Sequence, residues 1–289
     1  MKKRAGKRVS IWDIIYVVLA AVVVLSAVLI IRSCSGSSEI PEDCSLTVLD
    51  VGQGQSVVLT SSRYTAVVDC GSTSISDPGR VTGDYLLEND RGHIDLMILS
   101  HYHTDHTNGL DQLARMVDIG TILLPQPPED DTYIHDRIVS LADRLDIGIS
   151  YISKDTTVSL GDGELTLYAP LGGETENENC VIVLWSQGGF DVLMTADAPA
   201  SIEYRLLDHA DLPDIEILVA GHHGSAGSTS QDLLDAVTPE AAIISVGENE
   251  YGHPAGSLLR RLSENGVAVY RTDESGNITF APHISGSDG

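Results

Sequence analysis

The residues best suited to chemistry lie in one short stretch. Three histidines and an aspartate fill four of six consecutive positions, namely His101, His103, Asp105 and His106. Imidazole and carboxylate groups together suit zinc and similar divalent ions. Alternate residues of an extended turn point the same way, so His101 and His103 can face one ion while Asp105 and His106 face a second. Two adjacent ions could share a hydroxide and polarise a substrate bond. The spacing therefore predicts a two-metal hydrolytic site rather than a solvated loop with incidental histidines.

Strands and helices along the rest of the chain must position these side chains. From Cys44 onward, short apolar runs alternate with segments of helical periodicity. Strands are predicted at 46–50, 56–60, 64–69, 96–100, 121–124, 148–152, 164–169, 180–186, 191–196, 215–220, 241–246, 267–272 and 277–281, and helices at 109–117, 133–145, 199–207, 230–237 and 256–265. Two β-rich stretches mixed with helices indicate an α/β (α+β) sandwich of two sheets covered by helices. Residues 44–284 are interpreted as one domain, and residues 285–289 as a tail.

The amino-terminal residues predict a membrane anchor. Residues 14–31 carry no charge, and as a helix they would span about 27 Å, close to the roughly 30 Å of a hydrocarbon core. Basic residues precede this span, and the positive-inside rule then places residues 1–10 in the cytoplasm. We expect a single-pass cell-membrane protein with its anchor at 11–32, a polar linker at 33–43 and an extracellular domain. A cleaved signal peptide and a lipid-modified Cys34 are the alternatives. The spacing of Cys34 and Cys44 permits a disulfide without demanding one.

Charge and composition limit the function classes. The 289 residues include 17 basic and 42 acidic side chains, for a net charge of −25. Residues 1–34 hold six basic side chains against Asp13 alone, so the remaining residues carry −30. A protein that grips a nucleic-acid backbone by bulk electrostatics would show the opposite sign. A hydrophobic content of 42% excludes a wholly disordered acidic chain, and four cysteines are too few for a disulfide scaffold.

The histidine stretch resembles the His-x-His-x-Asp-His signature of metallo-β-lactamase-fold hydrolases. Other segments resemble, in the same order, the extracellular hydrolase domain of the ComEC competence proteins. They are LDVGQGQ at 49–55, VDCG at 68–71, TADA at 195–198, GHHGS at 221–225 and YGHP at 251–254. Together they cover about residues 46–281 and imply an αββα fold with metals at one edge. The multi-span channel of ComEC is not matched, since one predicted span precedes the domain.

The resemblance implies a role for each matching position. Two divalent ions, zinc or alternatively manganese, would be held by His101, His103, Asp105, His106, Asp197 and one of His222 and His223. Asp197 would bridge the ions, and the histidine of the pair that is not a ligand could contact substrate. His253 and Ser225 would position the substrate, and His253 could also protonate a leaving group. Asp105 is counted with them as a catalytic residue in addition to its role as a metal ligand. Asp69 would accept a hydrogen bond from a ligand histidine, and Asp50 would either do the same or cap the following glycine turn.

Two departures from the family pattern affect the site. Many members carry a further histidine before the bridging aspartate, where this chain has ETENENC at 174–180. Water, Glu176 or Glu178 would then complete the first metal site. The family's glycine turn commonly continues with aspartate, where this chain has Gln55. Cys70 and Cys180 are interpreted as small core residues, with a disulfide between them as the alternative. Structural or surface positions are predicted for His93, His135, His209 and His283.

These observations predict a membrane-anchored, metal-dependent hydrolase that cleaves a phosphodiester with a metal-bound hydroxide. The resemblance makes DNA a candidate substrate and the protein a candidate nuclease. The acidic domain offers no basic track for a long strand, so a small phosphodiester or a cell-envelope phosphoester is the competing substrate. Lactam or thioester hydrolysis on the same fold is an alternative, as is a non-catalytic surface binding module that contains structural metals. No residue pattern predicts a protein partner.

Overall fold

Two seven-stranded sheets pack face to face in the computed structural model, which describes residues 44–128 and 132–282. The first sheet contains β1 (Ser45–Val48), β2 (Gly54–Ser61), β3 (Tyr64–Ser72), β4 (His93–Ile98), β5 (Asp118–Pro125), β6 (Gly148–Ile152) and β14 (Ile278–Phe280). The second contains β7 (Thr156–Leu160), β8 (Gly163–Tyr168), β9 (Ile182–Gln187), β10 (Phe190–Met194), β11 (Ile217–Val219), β12 (Ala241–Ile244) and β13 (Ala268–Arg271). Their orders are β14-β1-β2-β3-β4-β5-β6 and β13-β12-β11-β10-β9-β8-β7.

Each sheet joins an antiparallel half to a parallel half. In the first sheet, neighbouring strands from β14 to β3 are antiparallel, and those from β3 to β6 are parallel. In the second, neighbours from β7 to β10 are antiparallel, and those from β10 to β13 are parallel. Parallel strands bring their carboxyl ends to one edge, where open α/β sheets commonly bind ligands.

Helices cover the outer face of each sheet. They are α1 (Pro78–Glu88), α2 (Thr104–Thr107), α3 (Leu110–Leu113), α4 (Tyr133–Leu145), α5 (Ala200–His209), α6 (Gln231–Val237), α7 (Gly256–Glu264) and α8 (Thr272–Ser275). Leu86, Leu113 and Leu141 pack against the first sheet, whereas Leu206 and Leu258 pack against the second. The four layers confirm the predicted αββα sandwich.

A central apolar layer lies between the sheets. Because successive strand residues point to opposite faces, one set faces this layer and the next set faces the helices. Val57 and Val68 of the first sheet contribute to the layer with Leu167, Trp185 and Met194 of the second, and all five are buried. Because both faces of both sheets are buried, their strands require apolar residues on both faces, and this explains the near-continuous apolar runs in the sequence.

The structure differs from the predicted elements in several places, including the unpredicted helix α8. The helix predicted at 109–117 shortens to α3, and α2 precedes it within the histidine stretch. The sequence analysis missed α1, because its buried face consists largely of Pro78, Gly79, Thr82 and Gly83, which form no apolar stripe. It also missed β7, a strand at the edge of its sheet with a half-exposed pattern.

Several predictions concern residues outside the described ranges. These are the cytoplasmic tip at 1–10, the anchor at 11–32, the linker at 33–43 and the tail at 285–289. The predictions for Cys34 and His283 also concern residues outside these ranges. Within 44–128 and 132–282, no helix is both long and apolar enough to cross a bilayer.

Candidate metal centre

The predicted metal-binding side chains meet where parallel strands of both sheets end. His101 and His103 follow β4, and α2 carries the next two predicted ligands. Asp197 follows β10, and His222 and His223 follow β11. Two groups could each hold a metal ion, with the candidate ligand atoms of each group within 4.8 Å of one another. The first group is His101, His103 and Asp197, and the second is Asp105, His106 and His223.

Unpaired buried atoms support a cation at this position. His106 Nε2, His223 Nε2 and Asp197 Oδ1 are buried without a hydrogen-bond partner. Asp197 Oδ1 lies 3.2 Å from His106 Nε2 and 3.8 Å from His223 Nε2. Asp197 Oδ2 lies 3.9 Å from His101 Nε2, so the two carboxylate oxygens face different groups. Buried polar atoms in proteins are normally paired, and lone pairs that converge in this way fit divalent ions.

Asp69 fixes the orientation of His106. Its fully buried carboxylate accepts a hydrogen bond from His106 Nδ1 at 2.8 Å. The same carboxylate accepts from Ser100 N at 2.7 Å, Ser100 Oγ at 2.8 Å and Gln55 Nε2 at 2.9 Å. A proton held on Nδ1 leaves Nε2 of His106 with a lone pair for the metal centre. Gln55 therefore supplies a donor where an aspartate would place a second carboxylate against Asp69.

Close backbone contacts hold the ligand loops in place. A side chain at Gly71 of β3 would come within 2.5 Å of Asp105 C and His106 N, so only glycine lets α2 approach the strand. His222 N donates to Ala196 O at 2.8 Å, which ties the two loops of the second sheet together.

Left-handed backbone at non-glycine residues clusters at the metal centre, with φ near 50–60° at Asp69, Ala196, His222 and His223. Such backbone strain is concentrated at functional sites in proteins.

His222 and His223 have different surroundings. His223 is buried, its Nδ1 donates to Ser245 O at 3.0 Å, and its Nε2 lies 3.5 Å from Asp105 Oδ2. His222 is half-buried, with Nε2 3.4 Å from Asp197 Oδ2 and its ring centroid 5.6 Å from that of His253. His223 thus belongs to the second group, and His222 lies beside His253. The left-handed turn sends these adjacent side chains in different directions.

The charges of the site are strongly coupled. Burial lowers the pKa of His101 well below its usual value, and the neighbouring His106 adds to this effect. Burial also disfavours the charged form of His106, but the carboxylates of Asp197 and Asp69 outweigh it and hold this pKa well above its usual value. Burial raises the pKa of Asp105, yet His223 and His106 outweigh it and lower that pKa to about 2. Asp197 follows the same pattern, and its pKa lies well below the usual range.

We expect metal binding to release a proton at pH 7. Because the carboxylates of Asp197 and Asp69 raise the pKa of His106, we expect its metal-free imidazole to carry a proton that an ion must displace to reach Nε2. Calorimetric titration in buffers of different ionisation enthalpy should show release of about one proton for the ion bound by the second group. Affinity should rise with pH up to the pKa of His106 and level off above it. Heats that are identical in all buffers would contradict this expectation.

Ser225 and Asp50 are not brought into either metal group. Ser225 Oγ accepts a hydrogen bond from Gly227 N, which stabilises the turn after His223. Asp50 is exposed and accepts from Gly52 N at 3.2 Å, so it caps the glycine turn and does not contact a ligand histidine among the described residues. The proposed hydrogen bond from a ligand histidine to Asp50 is therefore wrong, and the capping alternative describes its position.

His253 lies beside the metal groups without joining either one. Asn249 holds its loop, because the Asn249 side chain accepts from His253 N at 3.0 Å and donates to His253 O at 2.9 Å. His253 Nδ1 is buried and unpaired. The sequence carried no signal for the role of Asn249, since asparagine is frequent in turns.

The acidic stretch before the bridging aspartate brings one carboxylate towards the first group. Glu176 Oε2 lies 3.8 Å from His103 Nε2. Glu178 Oε2 instead accepts from the backbone N–H groups of Glu174 and Thr175, so it stabilises its own loop. Of the two acidic residues considered from sequence, only Glu176 reaches a ligand.

Cys70 and Cys180 are free thiols, which excludes a disulfide between them in this structure. Cys70 Sγ donates to Thr82 Oγ1, and Cys180 Sγ donates to Thr195 O. Burial raises the pKa of both thiols, that of Cys70 to about 12, which disfavours thiolate ligands at neutral pH. Both belong to the core, as expected from sequence.

A cleft of about 640 Å³ opens beside the first metal group. Its walls include His101 and Tyr102, the carboxylates of Glu174 and Glu176, and several prolines. No lysine or arginine is among the described residues that line it. The wall next to the site is therefore acidic and apolar.

Comparison with known proteins agrees with this geometry. The chain is 25% identical over 255 residues to ComE operon protein 3 of Bacillus subtilis, covering 81% of this chain and 32% of that protein. It is 27% identical to competence protein ComA of Neisseria gonorrhoeae, covering 83% of this chain and 33% of that protein. The chain thus spans about a third of the length of these curated relatives.

A solved structure and a family match complete the comparison. The fold is similar to that of CmlA, a diiron β-hydroxylase from Streptomyces venezuelae, with a TM-score of 0.58 and 17% sequence identity. That similarity covers 84% of this chain and 55% of CmlA. Residues 49–248, from just before the glycine turn to just beyond β12, match the metallo-beta-lactamase superfamily. The chain, with its αββα sandwich and its paired His/Asp groups, therefore belongs to the metallo-beta-lactamase superfamily.

Proposed function

We propose that this protein is a metal-dependent phosphodiesterase that acts on a small phosphodiester. The observation that carries the proposal is the pair of buried His/Asp groups whose ligand atoms converge around the two oxygens of Asp197. Two divalent ions, zinc or manganese, would occupy these groups. When bound, they would lower the pKa of water and neutralise charge that develops on the phosphoryl oxygens.

The protein side chains would bind and orient both the ions and the substrate. Asp69 and Ser245 O fix the ring orientations of His106 and His223, so that each Nε2 faces the centre. His222 and His253 lie side by side next to the metal groups, where they could donate hydrogen bonds to phosphoryl oxygens. Burial lowers the pKa of His253, and its coupling to His222 acts in the same direction. Neutral imidazoles at this position would still donate one hydrogen bond each.

The surroundings of the site favour a small substrate. Residues 35–289 carry −30, and the cleft beside His101 contains two glutamates and no basic residue among the described ones. Nucleic-acid binding gains most of its affinity from lysine and arginine on phosphates. DNA remains the second candidate, because a relative of the chain is named as a competence protein. We further propose that residues 11–32 anchor the hydrolase domain at the outer face of the cell membrane.

A substrate panel separates these readings. We expect the zinc- or manganese-loaded protein to hydrolyse bis(p-nitrophenyl) phosphate and to lose this activity when a chelator removes the metal. Single- and double-stranded DNA, nitrocefin and a thioester should be poor substrates at equal concentration. Efficient cleavage of DNA at physiological salt would favour the nuclease, and nitrocefin turnover would favour a lactamase. Tight metal binding without turnover of any substrate would favour the binding module.

A further inference from the structure

We infer that Glu176 is a positioning residue that orients His103 through its outer ring nitrogen and so strengthens the first metal group. This inference rests on the proposed metal site and extends it to a residue that belongs to neither ligand group. The same geometry assigns unequal affinities to the two groups.

Each of the other three histidines in the groups has an outer nitrogen fixed by a neighbour. His106 Nδ1 contacts Asp69 Oδ2 at 2.8 Å, and His223 Nδ1 contacts Ser245 O at 3.0 Å. His101 Nδ1 lies 3.0 Å from Ser100 Oγ. Ligand histidines generally use the second nitrogen in this way, which fixes the tautomer and the direction of the ring.

His103 follows the same plan with its ring reversed. Its Nδ1 faces inward, 3.1 Å from His101 Nε2, so its Nε2 is the outer nitrogen. The nearest acidic oxygen to that nitrogen is Glu176 Oε2, at 3.8 Å. The His103 side chain is 45% exposed, whereas the other three histidines of the two groups are buried, so packing restrains the ring of His103 least. A small rotation of this exposed ring would bring Nε2–H into hydrogen-bond range of the carboxylate.

The buried carboxylate oxygen of Glu176 has no other hydrogen-bond or ion-pair partner among the described residues. Its Oε2 is buried and has no hydrogen-bond partner, and no basic residue in the described part of the chain pairs with it. Burying a carboxylate oxygen without a partner is unfavourable, so a donor such as His103 Nε2–H fits this position. The neighbouring Glu178 is already bonded to its own loop, and Glu174 is exposed.

The first group is more open to solvent than the second, although each has three members of which two are buried. The third member is the exposed His103 in the first group and the half-buried Asp105 in the second, and the second group also faces Asp197 Oδ1. The first group contains the exposed His103 and opens towards the cleft that His101 and Glu176 line. We therefore expect one tightly bound ion in the second group and one weaker ion in the first.

Metal titrations of Glu176→Ala, Glu176→Gln and the control Glu174→Ala measure this effect without requiring turnover. Cobalt(II) absorption and zinc calorimetry on the full chain should show two binding events. For Glu176→Ala the affinity of the weaker event should fall by roughly 10- to 100-fold, with the tighter event unchanged. Glu176→Gln should lose less, because its amide oxygen can still accept from Nε2–H. Glu174→Ala should bind both ions like the unmodified protein.

Three results would overturn the inference. One is unchanged affinity in both Glu176 variants when their urea unfolding midpoints match that of the unmodified protein. Another is an equal loss in Glu174→Ala, which would indicate a general charge effect. The third is an altered shape of the cobalt spectrum at saturation, which would make Glu176 a direct ligand. Binding of two ions without phosphodiester cleavage would sink the proposed function alone, so the two failures are distinguishable.

Discussion

Asp197→Asn is expected to remove metal binding from both groups and to lower kcat/KM for bis(p-nitrophenyl) phosphate. A loss of about 10³-fold or more corresponds to about 4 kcal/mol of transition-state stabilisation. Asp197 is buried, with Oδ1 3.2 Å from His106 Nε2 and Oδ2 3.9 Å from His101 Nε2. Asparagine has the same shape but no charge, and its amide nitrogen would direct hydrogens at one of the groups. Metal content after dialysis and steady-state rates measure the two effects.

A matched control is Asp50→Asn, which changes the same functional group at an exposed position outside the metal groups. It should retain two ions and its full rate. The proposed bridging role of Asp197 would be wrong if Asp197→Asn kept both ions with unchanged affinity. If Asp197→Asn lost the ion of the first group and retained the ion of the second, the carboxylate would instead be assigned to the first group alone.

Asp69→Asn should weaken both the fold and the second metal group. The Asp69 carboxylate accepts from donors on Gln55, Ser100 and His106, all within 2.9 Å. An amide in its place offers one acceptor and two new donors to a cluster of donors. We expect the free energy of unfolding of the metal-free protein to fall by on the order of 3 kcal/mol, since buried donors lose their partners. The affinity of the tighter ion should fall by roughly 10- to 100-fold as His106 loses its fixed tautomer.

Ser100→Ala provides a graded comparison for the tighter ion, because it removes one donor to Asp69, together with the contact to His101 Nδ1 of the first group, and leaves the bonds from Gln55 and His106 in place. Its losses should be clearly smaller in both urea unfolding and competitive chelator titration. If Asp69→Asn bound the tighter ion like the unmodified protein, Asp69 would have no part in orienting His106.

The sequence predicted much of the site, because metal chemistry restricts which residue types can serve. His101, His103 and Asp105 could be singled out by type and spacing, and their apolar strand placed them at a sheet edge. The choice between His222 and His223 was not accessible, since it depends on a left-handed turn that sends adjacent side chains apart. The choice between the two roles considered for Asp50 was likewise not accessible, because its direction depends on the glycine turn that follows it.

The fold was predictable where apolar periodicity is strong, as in α4, whose predicted bounds match those observed. It was not predictable where contacts involve small residues, as in the buried face of α1. The approach of Glu176 to His103 links residues far apart in the chain, and no local pattern encodes that distance. Such contacts depend on how the two sheets pack.

The two sheets come from consecutive parts of the chain, and the ligands come from both. The first sheet supplies His101 to His106, the second supplies Asp197 and His223, and β14 crosses back to pair with β1. Ions held between the ligand loops of the two sheets would bind only when both sheets are docked, so metal binding and folding become thermodynamically linked. Free metal at 100 times its dissociation constant would add about 2.7 kcal/mol to the free energy of unfolding. The protein would then be most resistant to unfolding and proteolysis in the metal-replete environment where its chemistry can operate.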